Sequence, residues 1–482
     1  MNFKNRLNII SAFLVLLTFS TGKMLAEGTK ELAPTASDSV MLHTNAPGFG
    51  NFAAFNSFDS IASLKIRITD PVNDSIYIGL SGEADDFGVI SGPATYTFRI
   101  LDPTGAVAFG PFTIGSANDN ATSWALASNG PDVNGTGGYS TNTVSFPYSR
   151  FKPNMVGDYV IQFDEIPPTS GIVNILFFDF TVRNSGVPQL GRLWSRNWAL
   201  RTPPVNPGTP PECQFDRAFN GVFYSYTMDG FVSRVDFNNS GFQGLSFTVS
   251  FGDRGPGNSG DVMADRRSVN DANATSNNAD HMVFLNDPDN IEFPSSLSQC
   301  GDVYLLGVSC EIPDSCRIHI GLTQAGQVEV ILAFNNNGIY DLNTTDVLLV
   351  EFFTAADTAC IPWNGLKGDG SPIGFGEPIP TIVRYSQGVQ HYAGYDIEFL
   401  KNGFCVQTVR PVCPGIATDL LYWDDSQITD DLVTVTINEG DPGTGQPKIQ
   451  FNGCTCGAGG CTTWDNFQIC DPPTGTSLGI PV

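Results

Sequence analysis

A chain of 482 residues with a formal net charge of −25 repels polyanions, and no basic patch offsets that charge, so nucleic acid is excluded as an expected partner. Only 15% of residues are charged while Gly (51), Pro (32) and Phe (35) are abundant, which suits short strands joined by turns and disfavours helices. The length predicts roughly three domains, and no long 3.6-residue apolar period follows the amino terminus, so the fold class is all-β.

In chain order, Lys4, Arg6 and the apolar run Leu7 to Phe19 read as a secretory signal peptide over 1–26, the run being too short to span a bilayer. Ser20 and Gly22 fit the small-x-small rule for cleavage after Gly22, whereas cleavage after Ala26 places Met24 at the third position back. No later segment reads as transmembrane, so no membrane insertion is expected and the mature chain is expected outside the cell or on its surface. Residues 27–185 are Cys-free and predict an immunoglobulin-like β-sandwich, with strands at Ser63 to Ile68, Ser75 to Leu80, Thr95 to Leu101, Thr143 to Tyr148, Asp158 to Phe163 and Val173 to Val182. Tyr159 is placed to pin a corner, and Gly115 to Gly138 is a long Asn/Gly/Ser-rich loop, either a binding loop or a plain excursion.

Over 186–211 the residues Arg192, Trp194, Arg196 and Trp198 recur at every second position, so on one extended strand they share a face. Guanidinium and indole planes in that order predict a cation–π ladder, either a strip for a sugar or partner or a structural ladder between domains. Pro203, Pro204, Pro207, Pro210 and Pro211 then predict a stiff linker. The next unit, 212–299, has a hairpin turn at Asp229-Gly230 and an acidic stretch from Gly252 to Asn290. There Asp287 and Asp289 bracket Pro288 and are the candidate Ca²⁺ ligands, although their spacing matches no EF-hand and a solvated loop is the plainer reading.

A second immunoglobulin-like module is expected over 300–400. Val328, Val330 and Leu332 alternate on a strand, Asn335 to Gly338 make a turn, Val347 to Phe353 return, and Trp363 anchors the turn Lys367 to Gly370. Cys310 and Cys316 can clip a turn ahead of Arg317 to Leu322. Residues 401–482 form a disulfide-rich β-segment, expected to be incomplete. No Cys precedes Cys213, and the total of 11 is odd, so a thiol is free, pairs with another chain, or pairs with sequence beyond Val482, which is the expectation.

The four His, at 43, 281, 319 and 391, have no metal-ligand spacing. Gly257 to Gly260 lacks the rest of a serine nucleophile loop, and the pairs Asp85-Asp86 and Asp424-Asp425 are neighbours that face opposite ways on a strand. Binding is therefore expected rather than catalysis.

Several runs resemble the large secreted multidomain surface proteins of gliding bacteria that carry gliding-motility-associated or type IX secretion sorting domains. They are Arg192 to Pro203, Gly252 to Gly255, Phe284 to Asp289, Ile361 to Leu366, Leu421 to Ser426 and Thr463 to Phe467. Trp363-Asn364-Gly365 with Gly368-Asp369-Gly370 is similar to a turn of bacterial immunoglobulin-like modules. No sorting domain is visible before Val482, so the resemblance implies an amino-terminal portion of a longer adhesin-like protein. It also implies adhesion to a cell-surface or matrix polysaccharide or protein. The alternative is a secreted carbohydrate-binding or carbohydrate-processing accessory protein, on the strength of the Trp/Arg strip.

Overall fold

The computed structural model describes residues 26–44, 52–85, 88–90, 95–133, 135–165, 172–203, 219–237, 247–252, 279–312, 315–338, 340–341, 344–392 and 405–413, and the backbone alone of four strands between 435 and 468. The expected signal peptide up to residue 25, the prolines of the expected linker from Pro204 on, most of the acidic stretch, Gly257 to Gly260 and Leu421 to Ser426 lie outside the described residues.

The short β-branched and aromatic runs form strands. They are β1 (Met41–Thr44), β2 (Leu64–Ile68), β3 (Asp74–Leu80), β4 (Thr95–Leu101), β5 (Val107–Gly115), β6 (Arg150–Phe151), β7 (Gly157–Glu165), β8 (Val173–Ile175), β9 (Phe178–Asn184), β10 (Val187–Gln189), β11 (Leu193–Ser195), β12 (Asn197–Arg201), β13 (Val222–Tyr226), β14 (Val232–Asp236), β15 (Phe247–Gly252) and β16 (Met282–Phe284). In β2 the residues Leu64, Ile66 and Ile68 are buried while Lys65 and Arg67 reach partly outward, the period of a half-buried strand. The expected strand Thr143 to Tyr148 is instead a series of turns: Val144 N–H donates to Asn142 Oδ1 and Phe146 N–H to Asn142 O, leaving Val144 exposed. Asn142 offers the backbone a local turn that outcompetes the β-propensity of the run. The stretch read as one strand from Val173 to Val182 breaks into β8 and β9, which join different sheets.

These strands make antiparallel sheets ordered β10-β9-β3-β6 and, with the later strands β23 (His391–Tyr392) and β24 (Cys405–Arg410), β23-β15-β12-β1-β8 and β24-β14-β13-β16-β11-β2-β7-β4-β5. A single hydrophobic cluster runs from Leu32 to Leu285 through all three, so the strands of 27–185 and those of 212–299 share one core. Within it Tyr96, Phe98, Phe163 and Phe180 lie ring against ring, as do Phe219, Phe223, Phe237 and Phe247. Tyr159 pins the corner before its own strand, accepting the N–H groups of Asn154 and Met155 at 3.1 Å each. The long loop after β5 is folded onto the body through a short helix, α1 (Trp124–Ser128), capped by Ser123, and through buried Ala121, Ala127 and Tyr139.

Beyond Phe293 the chain builds a second unit from two three-stranded sheets. One is ordered β17 (Val303–Ile312), β18 (Ser315–Leu322), β21 (Thr358–Trp363), the other β20 (Val347–Phe353), β19 (Gly326–Leu332), β22 (Thr381–Ser386). Ile318, Ile320, Val328, Val330, Leu332, Ile361 and Trp363 make its separate core. The chain then returns. Strand β23 (His391–Tyr392) pairs with β15, and β24 (Cys405–Arg410) pairs with β14. The second unit is thus an insertion within the first, and a disulfide between Cys300 and Cys413 closes its neck. Gln387 donates to Gln299 O at 2.8 Å and Gly388 N–H to Asp229 Oδ2 at 2.9 Å at the same place. Cys310 and Cys316 form the expected clip between β17 and β18. Among the described residues no helix is long and apolar enough to cross a membrane.

Candidate functional site

The Trp/Arg stretch does not run as one strand. Strand β11 lies between β2 and β16 in the nine-stranded sheet, whereas β12 lies between β1 and β15 in the five-stranded one, so the chain changes sheet at Arg196. The alternation that would align four side chains on one face is interrupted there. Only Arg196 is left exposed. Trp194 packs on Phe284, its Nε1–H donates to Asp158 at 3.3 Å, and the cation over its ring, at 5.1 Å, is Lys65. Trp198 is fully buried against Phe52 and donates to Val283 O at 2.9 Å.

Arg192 is buried and turned toward Asp289, donating from Nε and Nη2 to one carboxylate oxygen at 2.9 and 2.7 Å and from Nη1 to Thr69 at 3.0 Å. The other oxygen of Asp289 accepts the N–H of Ile291. Asp287 is paired with Arg410. Both candidate Ca²⁺ ligands therefore face a guanidinium, and among the described residues no group of three or more His, Cys, Asp or Glu is placed to hold a metal ion. Trp194 and Arg196 do meet, with Asp59, Ser60, Ile61, Ser63 and Lys65, around a cavity of about 110 Å³. Small-molecule sites usually occupy roughly 300–1,000 Å³, so this one suits water or a small ion.

A different constellation lies on the outer face of the inserted unit. His319 on β18 stands directly across from Cys360 on β21, and Ser309 on β17 lies on its other side. His319 Nδ1 is 3.1 Å from Cys360 Sγ, and its Nε2 is 2.8 Å from Ser309 Oγ. A neutral imidazole with its proton on Nε2 donates to Ser309 and accepts the S–H of Cys360 at Nδ1. Cys360 is exposed and is a free thiol, on a flat sheet face rather than in a cleft, which suits reaction with another sulfur more than turnover of a bound substrate. Spacing along the sequence gives no sign of it, because cross-strand register brings residues 41 apart together. In the native protein the peptide carrying Cys360 is expected to be alkylated, while those carrying Cys310 and Cys316 are spared. His319→Ala is expected to slow the reaction about tenfold near neutral pH, and peptide mass mapping after timed alkylation reads both effects.

No known protein-family model matches the chain, and no curated protein shows significant similarity to it.

Proposed function

We propose that the chain is an exported, surface-associated structural and adhesive protein of the kind found in gliding bacteria, built of immunoglobulin-like β-modules and acting by binding a cell-surface or matrix polysaccharide or protein. The observation that carries this reading is strand β17. It is ten residues long, pairs among the described residues on one side only, with β18, and exposes Tyr304, Leu305 and Leu306 at 50%, 41% and 53%. An apolar edge strand of that length is a surface to which another chain adds or packs, and soluble folds ordinarily blunt it with charge or proline. The bridges Cys300–Cys413 and Cys310–Cys316 support an oxidising destination. The carbohydrate reading loses its motive, since neither Trp194 nor Trp198 presents an open indole face for stacking on a sugar.

The test is attachment of the producing cells and of beads coated with the purified chain. Replacing Tyr304 and Leu306 together by serine is expected to weaken attachment about tenfold or more while leaving the fold intact. Unchanged attachment both for that variant and for cells lacking the gene would remove the proposal.

A further inference from the structure

The residues just after the expected leader are not a surface tail. Ala26, Glu27, Thr29, Glu31 and Leu32 are each at most 4% exposed, and Leu32 belongs to the main core. The segment is stitched along β9: Phe180 N–H donates to Glu27 O at 3.0 Å, and Phe178 N–H to Thr29 Oγ1 at 2.8 Å. There is no slack between the two, because a methyl group on Gly28 would stand 2.4 Å from the Phe178 carbonyl oxygen.

Three carboxyl groups meet at this seam. The Glu27 nitrogen lies 2.6 Å from Asp179 Oδ1, which also accepts Thr181 Oγ1–H at 2.7 Å, while Tyr139 donates to Asp179 Oδ2 at 2.6 Å. Glu31 Oε2 accepts the next amide along, Gly28 N–H, at 2.7 Å. The Glu27 side chain accepts the N–H groups of Gly191 and Arg192. Arg183 offsets part of the charge on Asp179, and the Asn286 side chain stands beside Glu31, whose Oε1 is buried without a well-formed hydrogen bond. Burial raises Asp179 to about 7 and Glu31 to about 8, and carries Glu27 well above the usual carboxylate range. Carboxyl groups buried in this number either keep their protons or face a cation.

We propose that the mature chain begins at Glu27 and that its α-ammonium group, standing where the Glu27 nitrogen contacts Asp179, is the counter-charge of the Glu27, Glu31 and Asp179 cluster. The step is hydrolysis of the Ala26–Glu27 peptide bond by water under a leader-removing peptidase. The C–N bond breaks, Ala26 departs as a carboxylate, and the nitrogen keeps its electron pair and is protonated. An amide N–H that can satisfy one oxygen becomes an ammonium with three donors, one for Asp179 and others for the acceptor-rich wall that includes Glu31. This rests on reading residues 1–26 as a removable leader, with the boundary set by the contacts of the Glu27 nitrogen and not by the small-x-small rule, which favours Gly22, and it is independent of what the mature chain binds.

The sign of the pH effect separates the two forms. In a chain that keeps residues ahead of Glu27, the carboxyls whose folded pKa values are raised contribute stability at low pH that is lost as pH climbs through about 7 and 8. Tyr139 and Arg183 face the same cluster, and burial carries the Tyr139 hydroxyl further above its ordinary range. The α-ammonium cancels this loss. The experiment compares the full chain released from a removable fusion so that it starts at Glu27 with the same chain starting at Ala26. The chain starting at Glu27 is expected to melt about 5 °C or more higher at pH 7.5, with the gap closing toward pH 4.5. Its α-amine should resist acylation until the protein is unfolded, and the exported protein should begin at Glu27 on amino-terminal sequencing. A different first residue, equal acylation of native and unfolded protein, or coincident melting at pH 7.5 would each overturn the proposal.

Discussion

Replacing Trp198 by alanine is expected to destabilise the main body by about 4–5 kcal/mol. The indole is wholly enclosed where the chain leaves the nine-stranded sheet for the five-stranded one, so its removal opens a cavity that neither sheet can fill by moving alone. It also strips the Val283 carbonyl of its Nε1–H donor. Trp198→Phe keeps most of the volume but not the donor, and a loss of about 1–2 kcal/mol is expected. Denaturant unfolding followed through both variants checks the order. Equal losses for alanine and phenylalanine would show that the hydrogen bond, not the packing, holds the crossing.

Trp363→Ala is expected to cost about 3–4 kcal/mol, and to do so in the inserted unit. Trp363 is 4% exposed, packs on Phe334 at a ring separation of 6.0 Å, and ties down its own turn by donating to Leu366 O at 2.8 Å. Lys367 completes the arrangement, lying over the Phe334 ring and pairing with Glu377. The two cores share no residue, so the two tryptophan substitutions should lower separate transitions and add in the double variant. Calorimetry resolves this. A single transition moved equally by either substitution would mean that the neck couples the two units into one cooperative block.

Much of the strand content was legible from the sequence because alternation and turn chemistry are local. Thr95 to Leu101 and Val347 to Phe353 fall where the pattern places them, and Asp229-Gly230 is the hairpin turn between β13 and β14. What was not legible depends on partners far along the chain. A strand that changes sheet midway looks the same in sequence as one that does not, so the spacing of Arg192, Trp194, Arg196 and Trp198 suggested a ladder where the fold makes a crossing. The insertion was equally hidden, since nothing local marks β23 and β24 as returning to β15 and β14. Both chemical groupings, Cys360 with His319 and the acids around the Glu27 nitrogen, are made by register between distant strands, and the latter joins residues 152 apart.

The bridge at the neck of the inserted unit has a mechanical consequence. Tension entering from the main body reaches Cys300 and leaves through Cys413 by way of the sulfur–sulfur bond, bypassing the 113-residue span between them. The unit that carries the apolar edge strand is therefore unloaded when the chain on either side of it is stretched, and it can stay folded under pull. Reduction of that one bond would put the span in series with the load and release roughly 400 Å of stored contour length.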